Sequence, residues 1–592
     1  MRKTKVKRTV WPYIQAIPEI IIYEAVSKLI LLALAFVFKK LMMWAVYQTG
    51  HVAVTSGDFA FLFTSPYGWI AILTAIIMIA VYIAFDINVI VNYAGEKVKE
   101  RPTVLWKIVL ESVTESARFF TPGGLLVLFY AMLIAPVIGV GMTTSLTKGL
   151  YVPNFITDVI RSTPLYNALY SLFVIVMIII GILGMFTIHG MVIDHISPVQ
   201  AYVRSVQMCH RNYKDLIKQL FLFLLKYTLV DLVVSLALLI FPLMIRILFG
   251  NISVYAERFF IIVILLFFTI IVFSSAALFL PLLTMKITQL YYQYNEDIPM
   301  ALKTKPAESY KQMIIVIAAA YLLCWGVSFF VQENFEMFFT RDVYTEIIGH
   351  RGAGNEGTEN TISGIRKAID LGCYGTEIDV QRTSDGYYIL NHDNTFKRVA
   401  DVNRAPSEMT LREIKALRIK DAPGERVPTI EEALDAARGK IIMFIELKGS
   451  TADQKMCDDM VRLLKERNMV NSCVLISLKY DLVEYIEDNY PEINTGFLAF
   501  ITLGNVGELK CDYLGLEEEA ATSAAIDAAH EHGRKVIVWT PNSTDSQKRF
   551  LLSKADAIIT DQATQAGNIL GELELRDDPS IIIDSMANWL LN

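Results

Sequence analysis

His350, Arg351, Glu377, Asp379 and His392 all fall within residues 347–393, each at or near the end of a short apolar run. Residues 346–349 read as a strand delivering His350, Arg351 and Gly352, where glycine lets backbone approach a bound group. Residues 359–371 carry a helical pattern with Ile362, Ile365, Ala368 and Ile369 on one face. A second strand, 375–380, holds Glu377 and Asp379 two residues apart and therefore on one side of a sheet. Two such carboxylates repel each other unless something neutralises them, and one divalent cation with oxygen ligands, Ca²⁺ or Mg²⁺, does this well. Ser384, Asp385 and Gly386 turn the chain into a third strand, 387–391, which ends on His392 and Asp393. Taken singly, an E-x-D pair is more often a solvated strand edge, and a strand-end histidine more often plain surface. Their common order and spacing point to a site.

Farther on, 441–448 reads as a strand that brings Glu446 and Lys448 to one side of its end. Glu446 would complete a three-carboxylate set with Glu377 and Asp379. Arg351, as a fork, and Lys448, as a point charge, would hold phosphate oxygens; an ion pair between Lys448 and one of the acids is the competing reading. These parts suit a phosphodiester, which resists attack until its oxygens are neutralised, its nucleophile activated and its leaving alkoxide protonated. His350 and His392 supply the base and the acid, and nothing in the sequence divides the two roles between them. Trp539, at the end of another strand, either packs against substrate or belongs to the core.

In this order, HRG (350–352), ENT (359–361), EIDVQRTSDG (377–386), LNHD (390–393), FIELKG (444–449), HEHGRKVIVWTPN (530–542) and IITDQ (558–562) resemble the glycerophosphodiester phosphodiesterase family. That family is a branch of the phosphatidylinositol-phospholipase-C-like TIM barrels. Thr358 and Ala563 stand where it usually has prolines, which alters loop stiffness rather than chemistry. The resemblance implies a (β/α)₈ barrel that hydrolyses glycerophosphodiesters to sn-glycerol 3-phosphate and an alcohol. It further implies that the substrate's own glycerol hydroxyl attacks to give a cyclic phosphate that water opens, with Trp539 beside the glycerol and Glu359 and Asn360 in support. Two other readings are a lyase that stops at the cyclic phosphate, and a transport or sensing protein whose barrel binds glycerophosphodiesters without turnover.

The elements that must position these residues fit a barrel. Nine strand candidates occur after residue 341, one too many. The tight turn at Asp385 and Gly386 cannot join parallel neighbours, so 387–428 is read as an insertion. Thr429, with Glu432 in the capping-box position, then opens the second barrel helix, 429–438. Eight strands in about 250 residues is the usual size of the fold.

The first 340 residues differ in kind. The chain is 54% hydrophobic and 19% charged with a net charge of −6 and a mean hydropathy of +0.42. It is too apolar to be wholly soluble, and it has no basic excess for nucleic acid. The expected architecture is multidomain: an all-α polytopic membrane domain, 1–340, followed by an α/β barrel, 341–592. The basic N-terminus is not followed by a cleavable signal segment, so the first anchor is expected to be permanent. Within 19–50, charged residues blur its limits. Spans at 69–90, 123–146, 168–193, 220–248, 259–284 and 313–331 bring the expected number to about seven. They are apolar on all faces rather than striped. Asp86 and Asp231 are expected to face other helices or an aqueous cavity. Basic residues concentrate at the N-terminus and in 96–118, 204–218 and 286–311, which places those segments in the cytoplasm. After seven crossings the barrel lies outside a cell membrane whose lipids surround the spans. Residues 103–120 read as an amphipathic helix on the inner membrane surface, with a solvated connector as the competing reading. The six cysteines show no ligand spacing and read as single buried thiols; His530 and His532 read as surface. Oligomeric state is not legible.

Overall fold

The computed structural model describes residues 11–49, 53–54, 64–99, 104–128, 163–248, 253–295, 309–339, 343–420, 422, 424–500, 503–504 and 508–591. The chain divides into two compact units, Met1–Phe38 with Ile72–Phe338, and Lys39–Ala71 with Phe339–Asn592.

The first unit is helical. Among the described residues, five helical stretches are long and apolar enough to cross a membrane: Ala16–Gln48, Pro66–Val98, Pro164–Val192, Pro198–Leu236 and Val254–Tyr294. The expected span at 313–331 lies inside the helix Ser309–Glu333, whereas most of 123–146 lies outside the described residues. Two expected spans differ in detail. Helix Pro164–Leu183 stops at Gly184, whose N–H bonds back to Ile180, and the short helix Thr187–Val192 follows. The span expected at 220–248 is the second part of one longer helix, Pro198–Leu248, kinked where Asn212 leaves helical geometry. Apolar faces cover these helices, so a polar group among them must find a partner on a neighbour. Asp86 does so: Tyr23 Oη and Ser27 Oγ of the first helix donate to its Oδ1 at 2.7 and 2.9 Å. Helix Leu105–Glu115 buries Ile108 and Ser112 and leaves Trp106, Leu110 and Val113 exposed.

In the second unit eight parallel strands close into a barrel: β1 (Glu346–Gly349), β2 (Gly375–Arg382), β3 (Ile442–Leu447), β4 (Cys473–Ser477), β5 (Asn494–Ala499), β6 (Tyr513–Glu517), β7 (Lys535–Trp539) and β8 (Ala557–Thr560). Each pairs with its sequence neighbour, and β8 closes on β1. Alternate residues fill the interior, where Ile348, Phe444, Val474, Ile476, Leu498, Ile537 and Ile559 form one buried cluster. Gly375 and Gly515 make room there, since a Cβ would meet Phe444 Cε2 at 2.7 Å and Leu498 Cδ2 at 2.4 Å. The other face of the strands packs under the helices in two larger clusters.

The insertion after β2 is a hairpin arm, Tyr388–Leu390, antiparallel to β2. The next barrel helix, Ile430–Ala437, carries the expected capping box of Thr429 and Glu432. The helix after β1 starts at Ile362 rather than at 359. Thr361 is its N-cap, accepting from Gly364 N at 3.1 Å, and Asn360 at φ 52° cannot continue a right-handed helix. This unit also contains the strand Ala53–Val54, which pairs antiparallel with Leu503–Gly504, a short strand in the connection that leaves β5. All six cysteines are unpaired; only Cys373 is not buried. His530 is half-buried and bonds Asp556 through Nε2 at 2.8 Å, so it ties a helix to the residue before β8 instead of standing free on the surface.

Candidate active site

Strands β2 and β3 bring the acids together. Glu377, Asp379 and Glu446 are 3%, 1% and 5% exposed, and one carboxylate oxygen of each lies within 4.8 Å of the others. Register explains the meeting, because Asp379 pairs with Glu446 across β2 and β3. Lys448 Nζ sits 3.1 Å from Asp379 Oδ1 and 2.9 Å from Glu446 Oε2, so it forms the ion pairs of the competing reading while standing beside the acids. Burial and the charges of Asp379 and Glu446 raise Glu377 well above the carboxylate range. Burial likewise pushes Glu446 up to about 7 against the pull of Lys448. Burial opposes ionisation of Asp379 too, but Lys448, His392 and Arg351 outweigh it and hold that carboxyl low. Three buried oxygen ligands in one cluster fit a hard divalent cation, which would remove this frustration.

The loop after β1 is held in an unusual conformation. Arg351 has φ 50° and Asn360 φ 52°, each costing on the order of 1 kcal/mol or more. The strain aims their polar groups. Arg351 N–H donates to Glu377 Oε2 at 2.8 Å. Asn360 brackets Asp379, donating from Nδ2 to Oδ2 at 2.8 Å and accepting from the Asp379 N–H at 3.0 Å. Arg351 Nε is buried and has no hydrogen-bond partner among the described residues, while its Nη1 reaches Glu359 at 3.4 Å. Gly354 has φ 58°, and a Cβ there would lie 2.2 Å from the Cα of Asp561. Gly354→Ala is therefore expected to displace Asp561 and lower the thermal unfolding midpoint by several degrees, since misplaced backbone costs about 1–3 kcal/mol.

Each histidine is backed by a carboxylate. His350 Nδ1 lies 2.7 Å from Asp561 Oδ1, and Asp561 is fixed by Asn542, whose Nδ2 donates to its Oδ2 at 2.7 Å. His392 Nδ1 lies 2.8 Å from Asp393 Oδ1. Burial disfavours the charge on Asp561, but hydrogen bonds from His350 and Asn542 win and keep its carboxyl low. The hydrogen bond from His392, with Arg398, holds Asp393 low as well. Ionised carboxylates only accept, so Nδ1 of each imidazole is the donor and Nε2 is left for chemistry. Arg398 joins the loops by donating to Asp393 Oδ2 at 2.8 Å and to both oxygens of Glu359 at 2.7 and 2.8 Å. Gln381 on β2 donates to the carbonyls of Asn391 and Asp393 at 2.7 and 2.8 Å, anchoring the His392 loop to the barrel. Trp539 is partly buried against the interior cluster; its Nε1 is buried and lacks a partner among the described residues.

Asp561, Asn542, Arg398 and Gln381 were not singled out from the sequence, although three of them lie inside the quoted motifs. For Asp561 the available signal was an acid directly after an apolar strand, the same signal that marks His350.

Residues 350–565 match the glycerophosphoryl diester phosphodiesterase family, and 13–330 match the membrane domain of glycerophosphoryl diester phosphodiesterase, which alone covers more than half of the chain. The chain belongs to this family. As a glycerophosphoryl diester phosphodiesterase with such a membrane domain, it is both an enzyme and a membrane protein. A glycerophosphodiester phosphodiesterase of Caldanaerobacter subterraneus is 26% identical over 242 residues, 38% of this chain and 98% of its own length. Human glycerophosphodiester phosphodiesterase 1 is 24% identical over 258 residues, 37% of this chain and 78% of its own. Among solved structures, an Oleispira antarctica phosphodiesterase in complex with the product sn-glycerol 3-phosphate is 21% identical, with a TM-score of 0.37 over 38% of this chain and 97% of the other.

Proposed function

We propose that the barrel, 341–592, hydrolyses glycerophosphodiesters to sn-glycerol 3-phosphate and an alcohol by acid–base catalysis from His350 and His392. The observation that carries this reading is the pair of carboxylate-backed imidazoles, both with Nδ1 as donor, beside a buried three-acid cluster. Glu377, Asp379 and Glu446 would hold the cation, Ca²⁺ or Mg²⁺, which when bound neutralises phosphate oxygens and stabilises charge as the phosphoryl centre is attacked. Arg351 presents to the same place a buried Nε that makes no hydrogen bond and lies 3.9 Å from Asp379 Oδ2, and Lys448 adds a second positive charge. One imidazole takes the proton of the attacking hydroxyl, and the other protonates the departing alkoxide. Glu359 and Asn360 hold Arg351 and Asp379 in position, and Trp539 lies beside the glycerol.

The membrane domain, 1–340, is proposed to anchor the barrel on the outer side of the cell membrane. One feature of the second unit supports that side. Ala53–Val54, in the connection after the first apolar helix, pairs with Leu503–Gly504 within this unit, and the positive-inside reading of the sequence assigns that connection to the outer side. The substrate is then a lipid-derived or polymer-bound glycerophosphodiester met at that surface.

The test is release of glycerol 3-phosphate from glycerophosphocholine and glycerophosphoglycerol by the full chain, with and without chelator. Cation-dependent release is expected; no release from either substrate would favour binding without turnover. The pH profile adds a second check. Burial lowers His392 below the ordinary imidazole value, and the hydrogen bond to Asp393 works in the opposite direction. Asp393→Asn removes the opposing influence, so His392 is expected to titrate at still lower pH. An NMR titration of the His392 ring would show it; a shift to higher pH would contradict the assignment.

A further inference from the structure

Glu517 ends β6 and is 3% exposed. Leu514 and Leu516 belong to the helix-facing cluster and Tyr513 to the barrel interior, so alternation turns Glu517 inward. Its height follows from the register. A path perpendicular to the strands runs from Asp379 through Glu446, Ile476 and Gly496 to Tyr513. A shear of about eight residues lifts the level position by about four over half a circuit, from Tyr513 to Glu517. Strand β6 is diametrically opposite β2 in the strand order, so Glu517 stands level with Asp379 on the far wall. By the same construction Trp539, the register partner of Glu517, stands across from Glu446.

Two polar groups thus face the acid cluster from the far wall. The Glu519 N–H donates to Glu517 Oε2 at 2.9 Å and fixes the carboxylate. The Trp539 Nε1–H is buried without a partner among the described residues. An acceptor and a donor on adjacent strands suit a hydroxyl, which both donates and accepts. With the phosphate held at the β1–β3 side, the part of the glycerol farthest from phosphorus is its terminal hydroxyl. An acyl chain on that oxygen would remove the hydroxyl proton, set apolar surface against a buried carboxylate and return no hydrogen bond. Resting on the hydrolase reading above, we propose that Glu517 and the Trp539 indole read the free terminal hydroxyl of the glycerol and select deacylated glycerophosphodiesters over acyl-bearing lysophospholipids.

Calorimetry on the full chain tests this with sn-glycerol 3-phosphate and propane-1,2-diol 1-phosphate, which lacks only that hydroxyl, beside turnover of glycerophosphocholine and 1-acyl-lysophosphatidylcholine. The parent is expected to bind glycerol 3-phosphate about 10- to 100-fold more tightly, the range for a hydrogen bond to a charged group. Glu517→Gln should erase most of that preference without changing affinity for the deoxy compound, and Trp539→Phe part of it. The turnover ratio of the two diesters should narrow in parallel. Equal loss toward both phosphates in Glu517→Gln would mark a structural role and overturn the inference, as would a parent without the preference. Turnover by the parent with an unaltered ratio in Glu517→Gln would remove the inference alone; absence of both binding and turnover in the parent would remove the hydrolase reading, and the inference with it.

Discussion

Glu377→Gln is expected to abolish tight cation binding while leaving the cation-free protein as stable as the parent. Burial and two neighbouring acids raise Glu377, so without a cation its charged form is disfavoured. A glutamine reproduces that neutral group, and its amide oxygen can still accept from the Arg351 N–H, as Glu377 Oε2 does at 2.8 Å. With the cation it fails, because an ionised ligand is gone. Charge stabilisation worth several kcal/mol corresponds to a fall of about 10³-fold or more in turnover. Asp379→Asn should behave differently. Lys448 and His392 hold Asp379 ionised, so its loss leaves Lys448 short of a buried partner and destabilises the fold on the order of 3 kcal/mol. Denaturant unfolding with and without cation, beside a calorimetric cation titration, separates the two. Equal destabilisation by both variants would contradict the assigned charge states.

His350→Ala and His392→Ala are each expected to lower kcat by about 10²- to 10⁴-fold with cation affinity retained, since neither imidazole belongs to the acid cluster. The double variant should be little worse than either single one, because groups that act in one proton-transfer sequence are not additive. Asp561→Asn should produce a smaller loss of the same kind: it leaves His350 in place but no longer fixes the proton on Nδ1. Single-turnover measurements at saturating cation would check all four. Activity surviving in both single histidine variants would move the acid–base role elsewhere.

The barrel was legible because each strand is short, apolar and closed by a turn signal, and because Glu377 and Asp379 share a face under the two-residue period. The insertion was legible from Asp385 and Gly386, whose tight turn forces antiparallel pairing. Less visible was the helix start near 359: Glu359 and Asn360 fit a helical pattern, yet Asn360 adopts a left-handed conformation to bracket Asp379, a demand set by tertiary structure. Asp561 stands 211 positions from His350, and only barrel closure of β8 on β1 makes them neighbours. Glu517 was hidden for a related reason, since its level opposite Asp379 depends on register summed across five strands. In the membrane unit, hydropathy marks spans but not where Gly184 ends one or Asn212 kinks another.

Arg398 links the Asp393 side of the His392 loop to Glu359; the guanidinium stays charged as arginine does in any protein, and its hydrogen bond, with that of His392, holds the Asp393 carboxyl low. The alignment of His392 is therefore insulated from acidity even though its protonation is not. Half of the Arg398 side chain is open to solvent, where the Debye length shrinks from about 10 Å at 0.1 M salt to about 3 Å at 1 M. Ionic strength, sensed at this exposed guanidinium, thus sets how firmly one of the two imidazoles is held, while the other is braced by Asp561 and the neutral amide of Asn542, with no guanidinium bridge for salt to loosen.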